Sequence, residues 1–200
     1  MRSKLDLIRL SQSHLNLLSI CPPRFQQVFL DSLGSLPDPK QEESMKWGNR
    51  FHLLMQQKQL ALPIASLLES DTELDRSLTA LIDAVPDILS PEVDLWREAE
   101  HCRTLRTDKF LLTVIYDLLI AEKHQATIFD WKTYRQPPRR DKLAHDWQNR
   151  LYLYVLAETA DYAPEQIKMT YWFVESGKPQ SMMFNYSQLE HQQTEQDLAA

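Results

Sequence analysis

Two apolar runs, residues 109–121 and 126–133, restrict the fold more than any other feature of this chain. Both are rich in β-branched and aromatic residues, and only the polar Glu122-Lys123-His124-Gln125 separates them. They predict a β-hairpin. With a two- or four-residue turn centred between Lys123 and His124, paired residue numbers sum to 247. Ala121 then faces Ala126, Leu119 faces Ile128, and Asp117 faces Asp130, with both carboxylates on one face of the sheet. That register follows from the turn and owes nothing to the acids. Ile115, Leu119 and Ile128 share the aspartates' face. Val114, Tyr116, Leu118, Ile120, Phe129 and Trp131 occupy the other, so both faces are expected to be buried.

A facing pair of aspartates on buried strands needs compensation. Two carboxylates about 5 Å apart repel by roughly 3 kcal/mol at an effective dielectric of about 20, before desolvation is counted. Either one acid stays protonated or a cation lies between them, and Mg²⁺ favours a few carboxylate oxygens plus water. Lys132 follows Asp130 by two residues, so strand alternation puts both side chains on one face. An ammonium group there can orient an attacking water and offset charge developing on a phosphate. The structural alternative is a buried Asp130–Lys132 ion pair with Asp117 as its third member, retained for fold specificity.

Helical signals surround the hairpin. Ser11 can cap a helix whose Leu10 and Leu15 have the spacing of a hydrophobic staple, and the Cys21-Pro22-Pro23 run stops it. A second short helix is expected through Phe29. Residues 34–44 read as a loop, after which Trp47, Phe51, Leu54 and Met55 recur at helical spacing. Ser70 and Glu73 make a capping box ahead of Leu74, Leu78, Leu81, Ile82 and Val85, with Pro86 as the stop. Residues 141–160 return to helical spacing, and residues 166–176 and 180–186 predict a second hairpin around Gly177-Lys178-Pro179. The polar helix expected from Ser187 has no stop signal, so it either frays or continues past Ala200. One domain over residues 1–200 is the natural reading at this length, with a mainly helical portion over 1–90 and the catalytic sheet and helix over 91–186.

The net charge of −6 argues against a partner gathered by general electrostatic attraction, because proteins that coat nucleic acid are usually basic. A DNA ligand needs a local basic patch. Arg135, Arg139, Arg140 and Lys142 follow Lys132 closely enough to form one; a solvated loop is the other reading of that stretch. The two cysteines, Cys21 and Cys102, make no CxxC and no Cys/His cluster, so neither a zinc module nor a disulfide framework is indicated, and a reducing cytoplasm fits best. No run approaches the roughly 18 apolar residues of a membrane-spanning helix, so no membrane partner is expected.

Asp117 together with the Asp130-Trp131-Lys132-Thr133 run resembles the metal-binding core of the PD-(D/E)XK superfamily, specifically its RecB-like exonuclease domains. Gly48-Asn49-Arg50-Phe51-His52 is similar to that family's GxxxH motif, and Gln148-Asn149-Arg150-Leu151-Tyr152 to its QxxxY. Leu10-Ser11-Gln12-Ser13 and Cys21-Pro22-Pro23-Arg24-Phe25 look like its opening helix, so the resemblance spans about residues 8–175. It implies an α/β fold, a central mixed β-sheet flanked by helices (a restriction-endonuclease-like core) with an N-terminal helical portion. It also implies that His52, Asp117, Asp130 and the Trp131 carbonyl bind Mg²⁺ or Mn²⁺, and that Lys132 is catalytic with the two aspartates. Gln148 and Tyr152 would support the site or touch the DNA backbone. Gly48 has a physical reading of its own: glycine inside a helix costs about 1 kcal/mol against alanine, so its presence predicts close approach of another element.

There are departures. Many relatives have glycine three positions before the hairpin aspartate, where this chain has Val114. Some carry an iron-sulfur cluster; here Cys21 matches its first cysteine and the closing three are missing, so no cluster is expected unless they lie beyond Ala200. No GxxxxGK[ST] loop is present, so coupling to unwinding would need a helicase or another repair partner. The expected function is a metal-dependent DNA nuclease; the alternative is a catalytically inactive DNA-binding module of the same fold.

Overall fold

The structure, a computed structural model, describes residues 7–34, 38–69, 71–89, 95–134, 136–174 and 178–199. Six strands form one mixed sheet: β1 (Ile8–Leu10), β2 (Trp96–Arg106), β3 (Phe110–Ala121), β4 (Ala126–Lys132), β5 (Ile167–Phe173) and β6 (Gln180–Asn185). The helices are α1 (Gln12–Ile20), α2 (Pro22–Phe25) continuing into a π-helical turn (Gln26–Leu30), α3 (Pro39–Gln59), α4 (Ala65–Glu69), α5 (Thr72–Ala84), α6 (Pro86–Leu89), α7 (Arg140–His145), α8 (Trp147–Thr159) and α9 (Gln188–Ala199). Mixed sheet and flanking helices together make the expected α/β, restriction-endonuclease-like architecture.

The hairpin register is the one the turn dictates, with Ala121 opposite Ala126, Leu119 opposite Ile128 and Leu118 opposite Phe129. The ladder ends there, one pair short of Asp117 and Asp130. β3 is the centre of the sheet. β2 runs antiparallel along one edge from Leu111 to Ala121, while β1 (parallel, at Phe110–Leu112) and β4 (at Leu118–Ala121) share the other. Thr113–Asp117 are therefore left without a strand partner on that edge, among the described residues. β4 turns away to pair in parallel with β5 over its whole length. Asp117 stands at the resulting fork.

Two apolar layers cover the sheet. Leu112, Val114, Tyr116, Leu119 and Ile128 pack with α8 through Leu151, Tyr152 and Val155, while Leu118, Ile120, Phe129 and Trp131 pack with Phe51, Leu54 and Met55 of α3 and Leu74, Leu78 and Leu81 of α5. Tyr116 and Leu118 thus lie on opposite faces although they are two residues apart, so the pleat of β3 reverses between them. β2 reverses with it: Glu100, opposite Asp117, has φ 52°, and the register is the same on either side of this pair. A left-handed conformation at a non-glycine residue costs about 1–3 kcal/mol and collects at functional sites.

Several expectations need correction. Both faces of β3 are not buried, since Ile115 is 46% exposed. The loop expected over 34–44 gives way to α3 from Pro39 onward. Asp71, not Ser70, caps α5, its carboxylate accepting from the Glu73 and Leu74 N–H groups at 3.1 and 3.0 Å; Ser70 lies outside the described residues. The helix expected over 141–160 is two helices, because extended Asp146 interrupts it and caps α8 by accepting from the Gln148 N–H at 2.8 Å. β5 and β6 form the second hairpin, of which Gly177 lies outside the described residues. β2 was not anticipated: its apolar Trp96, Ala99, Cys102 and Leu105 recur every third position and not every second, so nothing in a hydrophobicity reading marks it as a strand.

Candidate active site

The fork assembles side chains from five elements. Asp117 Oδ2 accepts the Trp131 backbone N–H at 2.7 Å, taking the place of the strand carbonyl that β3 withdraws. Its Oδ1 lies 3.3 Å from Nδ1 of His52 on α3. Gly48, one turn earlier on α3, is buried, and a β-carbon there would meet Thr133 Oγ1 at 3.0 Å. The close approach expected of this glycine is therefore real: it lets α3 press on the end of β4 and carries His52 to Asp117. Glu100 completes the group. Ligand atoms of His52, Glu100 and Asp117 lie within 4.8 Å of one another.

Asp130 is buried at 2% exposure on the α8 side of β4. Lys132 Nζ approaches its Oδ1 to 2.6 Å and its Oδ2 to 3.3 Å. Gln148, at the start of α8, donates to Asp130 Oδ2 at 2.8 Å and accepts from Lys132 Nζ at 2.7 Å. Oδ1 has the Lys132 ammonium as its ion-pair neighbour but no aligned hydrogen-bond donor. Tyr152, one turn beyond Gln148, is 3% exposed; its hydroxyl meets the Gln148 side chain and the Ile115 backbone N–H in the gap between β1 and β4.

The protonation equilibria lean one way. Burial raises the Asp130 carboxyl despite Lys132, and burial with the Asp117 charge raises Glu100. For His52 and Lys132 burial alone would lower the pKa. The Asp117 hydrogen bond and charge outweigh it at His52, and the charge of Asp130 outweighs it at Lys132, so both are raised. Burial thus holds the protons on the two carboxyls, whereas the negative charges of Asp117 and Asp130 hold those on His52 and Lys132. The imidazole of His52 and the carboxylates of Glu100 and Asp117 form a donor set suited to a small divalent cation.

The sequence model of the PD-(D/E)XK nuclease superfamily matches residues 9–200. The chain belongs to the PD-(D/E)XK nuclease superfamily. No curated protein sequence matches it. A crystal structure from Eubacterium rectale, provisionally named an exonuclease, superposes with a TM-score of 0.54 at 7% identity, covering 95% of this chain and 77% of that one; at that identity the likeness bears on the fold alone. The crystal structure of SSO0001 covers 100% of this chain and 77% of its own at 13% identity and a TM-score of 0.43, too loose to argue from. Members of the superfamily generally depend on a divalent metal, and a His/Glu/Asp cluster able to hold one is present here.

Of the residues singled out in the sequence, His52, Asp117, Asp130, Lys132, Gln148 and Tyr152 converge on the fork. Trp131 contributes its N–H, with its indole buried against Phe129. Arg139 instead clasps Asp141 at 3.1 and 2.6 Å, and Arg140 lies 4.4 Å over Phe184 and donates to the Met183 carbonyl at 2.5 Å. Arg135 lies outside the described residues. Glu100 is the residue that sequence reasoning missed. Only the prior recognition of β2, pairing back onto β3 from the turn at Thr107-Asp108, could have placed it opposite Asp117. Among the described residues no helix is long and apolar enough to cross a membrane.

Proposed function

We propose that this chain is a divalent-metal-dependent DNA nuclease of the RecB-like type that hydrolyses phosphodiester bonds to leave 5′-phosphates. Residues 1–200 are read as one nuclease domain, working in the cytoplasm in repair, recombination or defence. The observation that carries this reading is the meeting of His52, Glu100 and Asp117 within 4.8 Å at the fork where Asp130 and Lys132 emerge.

His52, Asp117, Asp130 and the Trp131 carbonyl would hold Mg²⁺ or Mn²⁺, with Glu100 added to the set by geometry. When bound, the ion supplies a Lewis acid for a phosphoryl oxygen and lowers the pKa of water. Lys132 positions the attacking water and offsets the charge that develops on the phosphate. Asp130 keeps the ammonium group charged, and Gln148 fixes it by bonding to both partners. Tyr152 braces Gln148 from the next turn of α8. Pairing the lysine this way fixes its position before substrate arrives.

The test is cleavage of labelled single- and double-stranded DNA with Mg²⁺ or Mn²⁺, comparing the intact protein with Asp130→Ala and Lys132→Ala. Metal-dependent cutting lost in both variants supports the reading. An intact protein that cuts no substrate and binds no metal by calorimetry refutes it.

A further inference from the structure

On the side of the sheet away from α8, α3 and α5 cover β3 only from Leu118 onward. Back from the fork, the same side is open among the described residues. Strand register arranges it in rows: Cys102 beside Ile115, Thr104 beside Thr113, then Arg106, Leu111 and Arg9 in line across β2, β3 and β1. Cys102, Thr104, Arg106, Ile115 and Arg9 are exposed, whereas Leu10, Leu112, Val114 and Tyr116, which point the other way, are buried. Ile115 is the notable member. It lies in the middle of the central strand and is 46% exposed.

The row before Cys102 and Ile115 is Glu100 and Asp117, so the open face runs straight out of the candidate metal cluster. Its far row carries two arginines, and neither forms an ion pair with a carboxylate among the described residues. Strand rows on one face are two residues, or about 6.6–6.8 Å, apart, which puts the arginine row about 20 Å from Asp117. That row spacing is close to the separation of successive phosphates in an extended single strand, and the intervening rows offer two hydroxyls, one thiol and one isoleucine but no acid. We propose that this face is the track for one strand of the nucleic-acid substrate, with a phosphate three nucleotides from the scissile bond held by Arg9 and Arg106. Ile115 lies under the sugar or base next to the cut. The proposal rests on the nuclease reading for its origin at the metal cluster, but its binding prediction is separate from chemistry.

The experiment uses the full chain with Ca²⁺ for binding and Mg²⁺ for cutting, on a labelled oligothymidylate of about 15 nucleotides and one of about three. Arg9→Gln/Arg106→Gln should weaken binding of the long strand by tenfold or more and flatten the slope of log K against log salt by roughly 1.4, the value for two single-strand phosphate contacts. The loss should be confined to strands long enough to reach the row. Lys123→Gln, in the exposed β3–β4 turn, is the charge control and should bind as the unaltered chain does. Equal binding by the double variant, or an equal loss on the short strand, overturns the track. If the long strand is bound through these arginines but never cut, the track stands and the nuclease reading falls. If both forms cut long strands with the same KM, the reverse holds, and an unaltered chain that binds no strand overturns the track outright.

Discussion

Gly48 on α3 and Thr133 at the end of β4 touch so closely that a β-carbon on the glycine would meet Thr133 Oγ1 at 3.0 Å. This contact sets the height of α3 above the sheet, and with it the 3.3 Å separation of His52 and Asp117.

A side chain at position 48 should therefore act on the site through the backbone. Gly48→Ala gains helix propensity of about 1 kcal/mol but forces Thr133 to yield, so its stability should change by less than that. Gly48→Leu should cost about 1–3 kcal/mol by overpacking and lower Mn²⁺ affinity as His52 lifts away. Thermal unfolding and calorimetric metal titration read the two effects. Unaltered metal affinity in a folded Gly48→Leu protein would show that the contact does not position the ligand.

Glu100 is a second place where stability and function should part. Its raised pKa reflects burial first and the Asp117 charge second. Glu100→Gln should raise the thermal midpoint of metal-free protein, because a buried charge and a repulsion are removed together. In the same variant Mn²⁺ affinity should fall by about tenfold or more, in the range seen when metal-site partners are lost. Reduced stability in EDTA would contradict this account of the residue.

The pH dependence follows from the direction of the shifts. Asp130, Glu100 and His52 all titrate above their ordinary values of 3.8, 4.5 and 6.5. For each, the folded chain binds the proton more tightly than the unfolded chain, so the stabilisation is full below the ordinary value and is lost as pH rises through the raised one. Metal-free protein should lose stability as pH climbs from the acid range to above 6.5. Affinity for Mn²⁺ should rise over the same interval, because the ion competes with those protons. Denaturant titrations with and without metal, across that range, test both signs.

Gln148 joins Asp130 to Lys132 with bonds of 2.8 and 2.7 Å. Gln148→Leu leaves both partners without that bond in a buried setting, at a cost of about 1–3 kcal/mol, and frees the ammonium group to move. The expected result is a kcat lower by about 10–100-fold with little change in KM, measured on a single DNA substrate. A change in KM alone would assign Gln148 to substrate binding instead.

Much of the site was legible in the chain because its parts are close in sequence or regular in spacing. The Lys123-His124 turn sets the β3–β4 register, alternation puts Lys132 beside Asp130, and four-residue spacing sets His52 one turn from Gly48 and Tyr152 one turn from Gln148. Each of these is a local geometric rule. What the chain could not disclose depends on contacts between distant segments. The strands part at Asp117 because β4 finds a longer parallel partner in β5, about forty residues later. β2 carries no two-residue apolar alternation, so it becomes a strand only by pairing with β3. Glu100 enters the cluster only because both strands reverse their pleat there. Sequence by itself therefore determined the hairpin, its register and the identity of the chemical groups, through turn and strand periodicity. Tertiary structure alone decided where the sheet forks, which third acid joins the cluster and which face stays open among the described residues, because those outcomes depend on competition among strands for the edges of β3.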